Sequence, residues 1–193
     1  MPHIDYSSRQ VAFKLVYFGP GMSGKTTNLV EIHRRLNPTA RGELVSLDTD
    51  DERTLFFDFF PLDLGNIMGF HLRFNLYTVP GQIHYEATRR LLLDGADGIV
   101  FVVDSQPERA GDNLQSFEML LGNLEERRLA IAEFPCVVQY NKRDCPNPVP
   151  IGQVERRLGH PELAAYEAVA LDGRGVMETV GALSRQVIER FEV

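Results

Sequence analysis

The chain has 193 residues and a mass of 21.8 kDa, and 44% of its residues are hydrophobic, so it can fold as one globular domain with a buried core. Its 20 basic and 27 acidic residues give a formal net charge of −7, which argues against nucleic acid as the main partner because such an interface needs a basic face. Two cysteines are too few for a disulfide framework or a zinc site, and they favour a reducing cytosol.

The sequence contains no recognisable signal peptide, membrane span or lipidation motif. The longest purely aliphatic or aromatic run, residues 99–103, is far shorter than a membrane span. Position 2 is proline and the tail RFEV has no cysteine, so neither a myristoyl nor a prenyl group can be attached. We therefore expect a cytoplasmic chain that has no direct membrane anchor.

Hydrophobic periodicity predicts strands that alternate with helices along the chain. The apolar run GIVFVVD at residues 98–104 is typical of a central parallel strand, whereas residues 70–77 alternate between apolar and polar side chains as in a half-buried strand. In chain order we predict strand 11–18, helix 26–36, strands 55–62 and 70–77, helix 84–95, strand 98–104, helix 111–128, strand 136–140, helix 151–158, strand 167–171 and helix 175–190. This order predicts an α/β domain with a mostly parallel sheet and helices on both faces.

Residues 19–26 (GPGMSGKT) match the G-x-x-x-x-G-K-[ST] pattern of a phosphate loop and lie between a predicted strand and a predicted helix. In such a loop, backbone N–H groups surround the phosphates and the following helix points its positive end at them. Lys25 is expected to reach the β- and γ-phosphates, and the Thr26 hydroxyl to bind Mg²⁺. The alternative is a glycine-rich turn with a surface lysine. The predicted phosphate contacts are Gly19, Gly21, Met22, Ser23, Gly24, Lys25, Thr26 and Thr27.

A second motif, NKRD at residues 141–144, directly follows the predicted strand at residues 136–140. A carboxylate there can accept hydrogen bonds from the N1–H and N2–H₂ groups of guanine, and adenine has neither donor. Asp144 is therefore predicted to select guanine, Asn141 to support the loop and contact N7, and the Lys142 stem to lie along the ring. The alternative is an ordinary polar turn. Backbone N–H groups of the last predicted strand are candidates for the guanine oxygen, namely those of Val169, Ala170 and Leu171.

With these motifs the chain resembles the small Ras-like GTPases over nearly its full length. Within them it is most similar to the MglA group of bacterial polarity and gliding-motility GTPases. That likeness is carried by YFGPGMSGKTTN (17–28), DERTLFFDFFPLDLG (51–65), RFNLYTVPGQIHY (73–85) and QYNKRD (139–144). The resemblance implies a Ras-like P-loop NTPase fold in which residues 1–193 form a single small-GTPase domain, with Mg²⁺ and GTP or GDP as its ligands.

The same resemblance assigns roles to five further residues. Gly81 would sense the γ-phosphate through its N–H group, and Gln82 would orient the attacking water. Thr54 would bind Mg²⁺ through its hydroxyl, and Arg53 would add positive charge to the transition state. The alternatives are a β-branched strand residue at Thr54 and a solvated loop cation at Arg53. Most Ras-like proteins have an aspartate at the position of Thr78, and the MglA group lacks this aspartate as the present chain does. The neutral Thr78 hydroxyl would therefore contact the metal only through a water molecule.

Residues 55–62 combine four phenylalanines with one carboxylate, namely Phe56, Phe57, Phe59, Phe60 and Asp58. Strand alternation buries only one set of side chains, so aromatic side chains are expected to face outward on an edge strand of the sheet. One interpretation is that neighbouring loops cover them. The other, implied by the resemblance, is a partner-docking surface that changes with the nucleotide.

Together these inferences predict a molecular switch of the MglA type that hydrolyses GTP slowly alone and faster with a partner. The resemblance implies that this partner is a Roadblock or MglB-type GTPase-activating regulator, with polarity or motility effectors downstream and recruitment to the cell poles by partners. An alternative, motivated by Thr78, is a nucleotide-locked binding and localisation module with negligible hydrolysis. A nucleotide kinase that shares the phosphate loop lacks support, because the NKRD motif selects guanine and the sequence has no arginine-rich lid.

Overall fold

The computed structural model describes residues 2–47, 57–67, 69–81 and 85–191. In these ranges the chain forms eight β-strands and five α-helices. In chain order they are β1 (His3–Asp5), β2 (Gln10–Phe18), α1 (Lys25–Arg35), β3 (Val45–Leu47), β4 (Phe57–Ile67), β5 (Phe70–Thr78), α2 (Glu86–Leu93), β6 (Gly98–Asp104), α3 (Ala110–Glu126), β7 (Cys136–Asn141), α4 (Gln153–Arg157), β8 (Ala164–Glu167) and α5 (Val176–Phe191). None of the helices in these ranges is both long and apolar enough to span a membrane.

The described strands form one sheet in the order β3-β4-β5-β2-β6-β7-β8, and β1 pairs with the start of β2. The centre of the sheet is parallel, because β2 pairs in parallel with β5 and β6, and β7 pairs in parallel with β6 and β8. The pairs β3–β4 and β4–β5 are antiparallel, as is β1–β2. The predicted α/β fold with a mostly parallel sheet is confirmed.

Helices cover both faces of the sheet because successive side chains of a strand point to opposite faces. On one face Phe13 and Leu15 of β2 belong to an apolar core with residues of α1 and α5. On the other face Val16 and Phe18 belong to a second core with residues of α2, α3 and α4. The central strand β6 is buried at every position, as its continuous apolar run predicts.

The prediction of a last strand at residues 167–171 is wrong. Strand β8 is Ala164–Glu167, so it ends where the predicted strand begins. Residues 168–171 form a loop in which Ala168, Val169 and Ala170 are buried, and Val169 forms an isolated bridge with Arg174. The apolar character of this segment comes from a loop packed into the core, whereas β8 itself has a weak hydrophobic pattern because its side chains are only partly buried.

The prediction that the aromatic strand lies at the sheet edge is also wrong. Strand β4 lies between β3 and β5, and among the described strands the edge is the three-residue β3, which is too short to give a periodic signal. The buried set in β4 includes Asp58 as well as Phe60. Phe59 points to the other side and stacks on Tyr77, with ring centroids 4.7 Å apart. Phe56 lies outside the described residues, so the docking interpretation of the aromatic cluster stays a prediction.

Candidate functional site

The loops after β2, β6, β7 and β8 surround an open cavity of about 280 Å³. Its volume is close to the lower end of small-molecule sites, about 300 Å³. Most of the lining residues are those predicted from the phosphate loop, the NKRD motif and the segment 168–171, and two, Gln106 and Cys145, were not predicted. The lining consists of Met22, Gly24, Thr27, Gln106, Asn141, Lys142, Asp144, Cys145, Val169, Ala170 and Leu171.

Helix α1 directs its N-terminus at the phosphate loop. The helix begins at Lys25, its first turn contains no acidic residue, and no side chain caps it by a hydrogen bond. Its first N–H groups are therefore free of an acidic competitor for an anion. Gly24 precedes the helix with a φ of 96°, a conformation that favours glycine. A Cβ at this position would also lie 2.2 Å from Asn141 Nδ2, so the close approach of the two loops requires glycine.

Lys25 is buried beneath the phosphate loop. Its Nζ donates to the Gly19 carbonyl at 2.9 Å and to the Pro20 carbonyl at 2.7 Å. Burial, and to a smaller extent the nearby Arg89 charge, lower the pKa of Lys25 to about 7, while Asp58 acts in the opposite direction. The ammonium is therefore held where a phosphate would stabilise its charged form.

Asn141 connects three parts of the site. Its Nδ2 donates to the Ser23 carbonyl at 2.8 Å, and its Oδ1 accepts from the Ala170 N–H at 2.9 Å. The Val169 N–H donates to the Arg174 carbonyl at 3.0 Å. Of the three N–H groups predicted for the guanine oxygen, two are therefore bonded within the protein. The Leu171 N–H donates to no group among the described residues and is the best candidate of the three.

Lys142 is positioned by Asp104, a residue that the sequence analysis missed. Lys142 Nζ lies 2.6 Å from Asp104 Oδ2 and 3.2 Å from Gln106 Oε1. Asp104 is fully buried, and Asn113 of α3 forms hydrogen bonds with both its backbone N–H and its carbonyl, at 2.9 and 2.8 Å. The available signal was a carboxylate at the end of the otherwise apolar strand β6.

A second missed residue, Asp58, brings a carboxylate next to the phosphate loop. Its Oδ2 accepts from Thr26 Oγ1 at 2.5 Å and from Thr78 Oγ1 at 3.0 Å, and its Oδ1 accepts from Ser46 Oγ at 2.7 Å. The Asp58 N–H donates back to Thr78 Oγ1 at 2.8 Å. These are hard oxygen donors of the kind that Mg²⁺ prefers, so the residues present fit this ion. Asp58 places beside Thr78 the carboxylate that Thr78 itself lacks.

Residues 78–81, here called the TVPG segment, lie against the phosphate loop. A Cβ on Gly81 would lie 2.3 Å from Gly21 N, so glycine is required for this contact. From the other side, Arg109 Nη2 donates to the Gly21 carbonyl at 2.8 Å. The remaining predicted site residues, Arg53, Thr54 and Gln82, lie outside the described residues.

Known proteins are similar to this chain over most or all of its length. A family model described as "ADP-ribosylation factor family" matches residues 4–187. The chain is 50% identical over 192 residues, 100% of this chain and 98% of the relative, to the "Mutual gliding-motility protein MglA" of Myxococcus xanthus (strain DK1622). The chain belongs to the ADP-ribosylation factor family and is a small GTPase of the MglA type.

More distant members of the family match over part of the chain. "ADP-ribosylation factor-like protein 6" of Caenorhabditis elegans is 23% identical over 127 residues, which is 63% of this chain and 66% of the relative. The predicted resemblance to small Ras-like GTPases and to the MglA group is confirmed. Members of this family generally have GTPase activity and use GTP, GDP and Mg²⁺.

Proposed function

We propose that this small GTPase is a guanine-nucleotide switch that binds GTP with Mg²⁺ at the described cavity and hydrolyses it to GDP and phosphate. The observation that carries the proposal is the hydrogen bond from Asn141 to Ser23, residues 118 positions apart, which joins the NKRD motif to the phosphate loop around one cavity. A phosphate-binding element and a base-selecting carboxylate at one cavity are what a guanosine phosphate requires.

The proposed base contacts come from two side chains of the NKRD motif and one backbone N–H group. Asp144 lines the cavity and would accept from the two guanine donors. Asp104 holds the Lys142 ammonium, so the aliphatic stem is available to cover the base. The Leu171 N–H is the proposed donor to the guanine oxygen.

Mg²⁺ would be held by the Thr26 hydroxyl together with the nucleotide phosphates, and when bound it would neutralise phosphate charge. Asp58 supports this assignment, because its carboxylate is within hydrogen-bond distance of both Thr26 and Thr78. The Thr26 hydroxyl would have to turn its proton away from Asp58. Thr54 is the second proposed hydroxyl ligand, by resemblance alone.

Hydrolysis would proceed by attack of water on the γ-phosphorus, which breaks the bond to the β–γ bridging oxygen and yields GDP and inorganic phosphate. Lys25 and the N–H groups of the phosphate loop would stabilise the charge that develops on the phosphate oxygens. Gln82 would orient the water, and Arg53 would add positive charge. We expect the reaction to be slow without a partner that aligns these two residues.

The first experiment identifies the nucleotide released from heat-denatured purified protein and then measures the affinity for GDP, GTP and ATP with and without Mg²⁺. We expect GDP or GTP to be released, both to bind more tightly than ATP, and the GTP affinity to fall when Mg²⁺ is removed. ATP is the matched control because it has the same phosphates and a different base. Equal affinities for GTP and ATP would overturn the proposed base selection.

The second candidate function, a nucleotide-locked binding module, is favoured by one observation, the threonine at position 78. Single-turnover hydrolysis of GTP, with and without a candidate regulator, separates the two functions. The switch should hydrolyse GTP slowly alone and faster with the regulator, and Gln82→Leu should retain nucleotide while losing this hydrolysis. Absence of turnover in both conditions would favour the locked module.

The biological process is proposed from the relative. The Myxococcus xanthus relative is named for gliding motility, and we propose that this chain acts in bacterial polarity or motility through a Roadblock-type regulator and downstream effectors. Recruitment to the cell poles by such partners is part of the proposal. The test is stimulation of GTP hydrolysis by a purified Roadblock-type protein from the same organism. A regulator that leaves the hydrolysis rate unchanged would contradict it.

A further inference from the structure

Two adjacent arginines at the end of helix α1 share one buried carboxylate but differ in what else they contact. Glu31 Oε1 accepts from Arg35 Nε at 2.5 Å, and each Glu31 oxygen accepts from Arg34 at 2.9 Å. The Arg34 side chain is 68% exposed and that of Arg35 is 41% exposed. Arg35 makes one further bond, from its Nη2 to the Asp172 carbonyl at 2.9 Å. Within the described ranges, Arg34 makes no bond outside its own helix.

The Asp172 carbonyl belongs to a tight turn next to the proposed base site, residues 168–174, here called the base loop. In this loop the Val169 carbonyl accepts from the N–H groups of Asp172 and Gly173, at 3.2 and 3.0 Å. These two bonds close the turn around Leu171, whose side chain is exposed and lines the cavity. A contact that holds the Asp172 carbonyl therefore also restrains the peptide groups at the tip of the turn.

The base loop packs directly on the pair formed by Glu31 and Arg35. Gly173 is buried and has a φ of 80°, and a Cβ on it would overlap Arg35 Nη2 and Glu31 Oε1. A guanidinium is planar and holds its N–H groups in fixed directions. Since Glu31 binds the Nε side of Arg35, it orients the Nη2 group towards the loop. The helix that begins at the phosphate loop thus contacts the base loop at its other end.

We propose that Arg35 is a positioning residue that holds the base loop so that the Leu171 N–H reaches the guanine oxygen. The loop is bonded on both sides of Leu171, because the Ala170 N–H donates to Asn141 and the Asp172 carbonyl accepts from Arg35. An N–H group contributes to base binding only when it is held at hydrogen-bond distance and in line with its acceptor. The inference rests on the proposed function, because it requires a guanine nucleotide in the cavity.

The test measures the affinities of the unaltered protein, Arg35→Met and Arg34→Met for GDP, 6-thio-GDP and IDP. 6-Thio-GDP keeps both base donors predicted to bind Asp144 and replaces the guanine oxygen by sulfur, a weak acceptor. IDP keeps the oxygen and lacks the amino group, so it reports on the Asp144 contact. We expect Arg35→Met to lower the GDP affinity about threefold to tenfold, as for the loss of one hydrogen bond, and the 6-thio-GDP affinity much less.

The ratio of GDP to 6-thio-GDP affinity should therefore fall in Arg35→Met, while the ratio of GDP to IDP affinity should stay the same. Arg34→Met is the matched control, because it removes the same charge from the same carboxylate and leaves the contact with Asp172 in place. It should change neither ratio. Both variants should keep the thermal transition of the unaltered protein, because Glu31 retains one arginine in each and exposed ion pairs contribute little to stability.

A purely structural arginine would give a different result. If Arg35→Met lowers the affinities for all three nucleotides by the same factor, or if Arg34→Met changes the GDP to 6-thio-GDP ratio as much, the inference is overturned. Equal binding of GDP and 6-thio-GDP by the unaltered protein would also overturn it, because the guanine oxygen would then accept no bond from the loop. If the unaltered protein binds no guanine nucleotide, the proposed function itself fails, and that outcome is distinct from unchanged ratios in a protein that binds GDP.

Discussion

Asp144 is the single side chain on which the proposed base selection depends. Asp144→Asn should weaken GTP binding by roughly 100-fold or more and improve binding of XTP, because an amide donates where a carboxylate accepts, and XTP offers an acceptor there. Competition of GTP and XTP against a labelled nucleotide measures the change. Asp94→Asn, an exposed aspartate at the end of α2, is the control. An unchanged GTP to XTP ratio in Asp144→Asn would assign base selection to other residues.

Lys25 is expected to couple nucleotide binding to the uptake of a proton. In the structure its pKa is about 7 because of burial and the Arg89 charge, against an ordinary value of 10.5. The unfolded chain therefore binds more protons between these pH values, so this group makes the unfolding free energy of the nucleotide-free protein rise from pH 7 towards 10.5. A bound phosphate raises the pKa again, so nucleotide binding at pH 8 should take up about one proton.

Titration calorimetry of GDP binding at pH 8, in two buffers with different ionisation enthalpies, measures this uptake. Lys14→Met is a suitable control, because Lys14 also has a lowered pKa from burial but donates its hydrogen bond to the Asp94 carbonyl, away from the cavity. The control should keep the proton uptake. No proton uptake in the unaltered protein would show that Lys25 is already charged without nucleotide.

At the scale of elements, helix α3 supports the base site through strand β6. Asn113→Ala should lower the free energy of unfolding by about 3 kcal/mol, because it leaves the buried N–H and carbonyl of Asp104 without these hydrogen bonds. GTP binding should weaken as well, since Asp104 holds Lys142. Urea denaturation measures the stability, and Gln115→Ala, exposed on the same helix, should change it little. Equal stabilities of the two variants would contradict the role of Asn113.

Strand β4 shows what sequence patterns leave undecided at this scale. The alternation in residues 55–62 predicted that one set of side chains is buried, and the tertiary structure placed Asp58 in that set. Burial of a lone carboxylate among phenylalanines is unfavourable unless the carboxylate has polar partners. Its partners, Thr26, Ser46 and Thr78, come from other elements, so the sequence pattern contains no sign of them.

For the whole molecule, the ligand should stabilise the fold. The proposed nucleotide bridges the phosphate loop, the NKRD motif and residues 168–171, and it can bind only when these loops are together. GDP at 100 times its dissociation constant should add about 2.7 kcal/mol and raise the melting temperature by about 5–10 °C. Scanning calorimetry with GDP and with ATP at the same concentration checks this. An equal shift with ATP would contradict guanine selection.

Much of this molecule was predictable from local sequence. The phosphate loop and the NKRD motif are contiguous, and the functions predicted for them depend on backbone conformation and residue type over a few positions, so spacing alone predicts them. The buried strand β6 and the helices around it follow from hydrophobic period. These features, with the parallel order of the central strands, led to the α/β fold.

Only the tertiary structure brought together residues that are distant in sequence. Asp58 lies 32 positions from Thr26 and 20 from Thr78, and Asn141 lies 118 positions from Ser23. Such contacts depend on which elements pack side by side, and no periodicity or motif in one segment encodes the position of another. The sequence thus determined where phosphate and base are expected to bind. Tertiary packing decided that the Asp58 carboxylate lies beside the phosphate loop and that Asp104 contacts Lys142 of the NKRD motif.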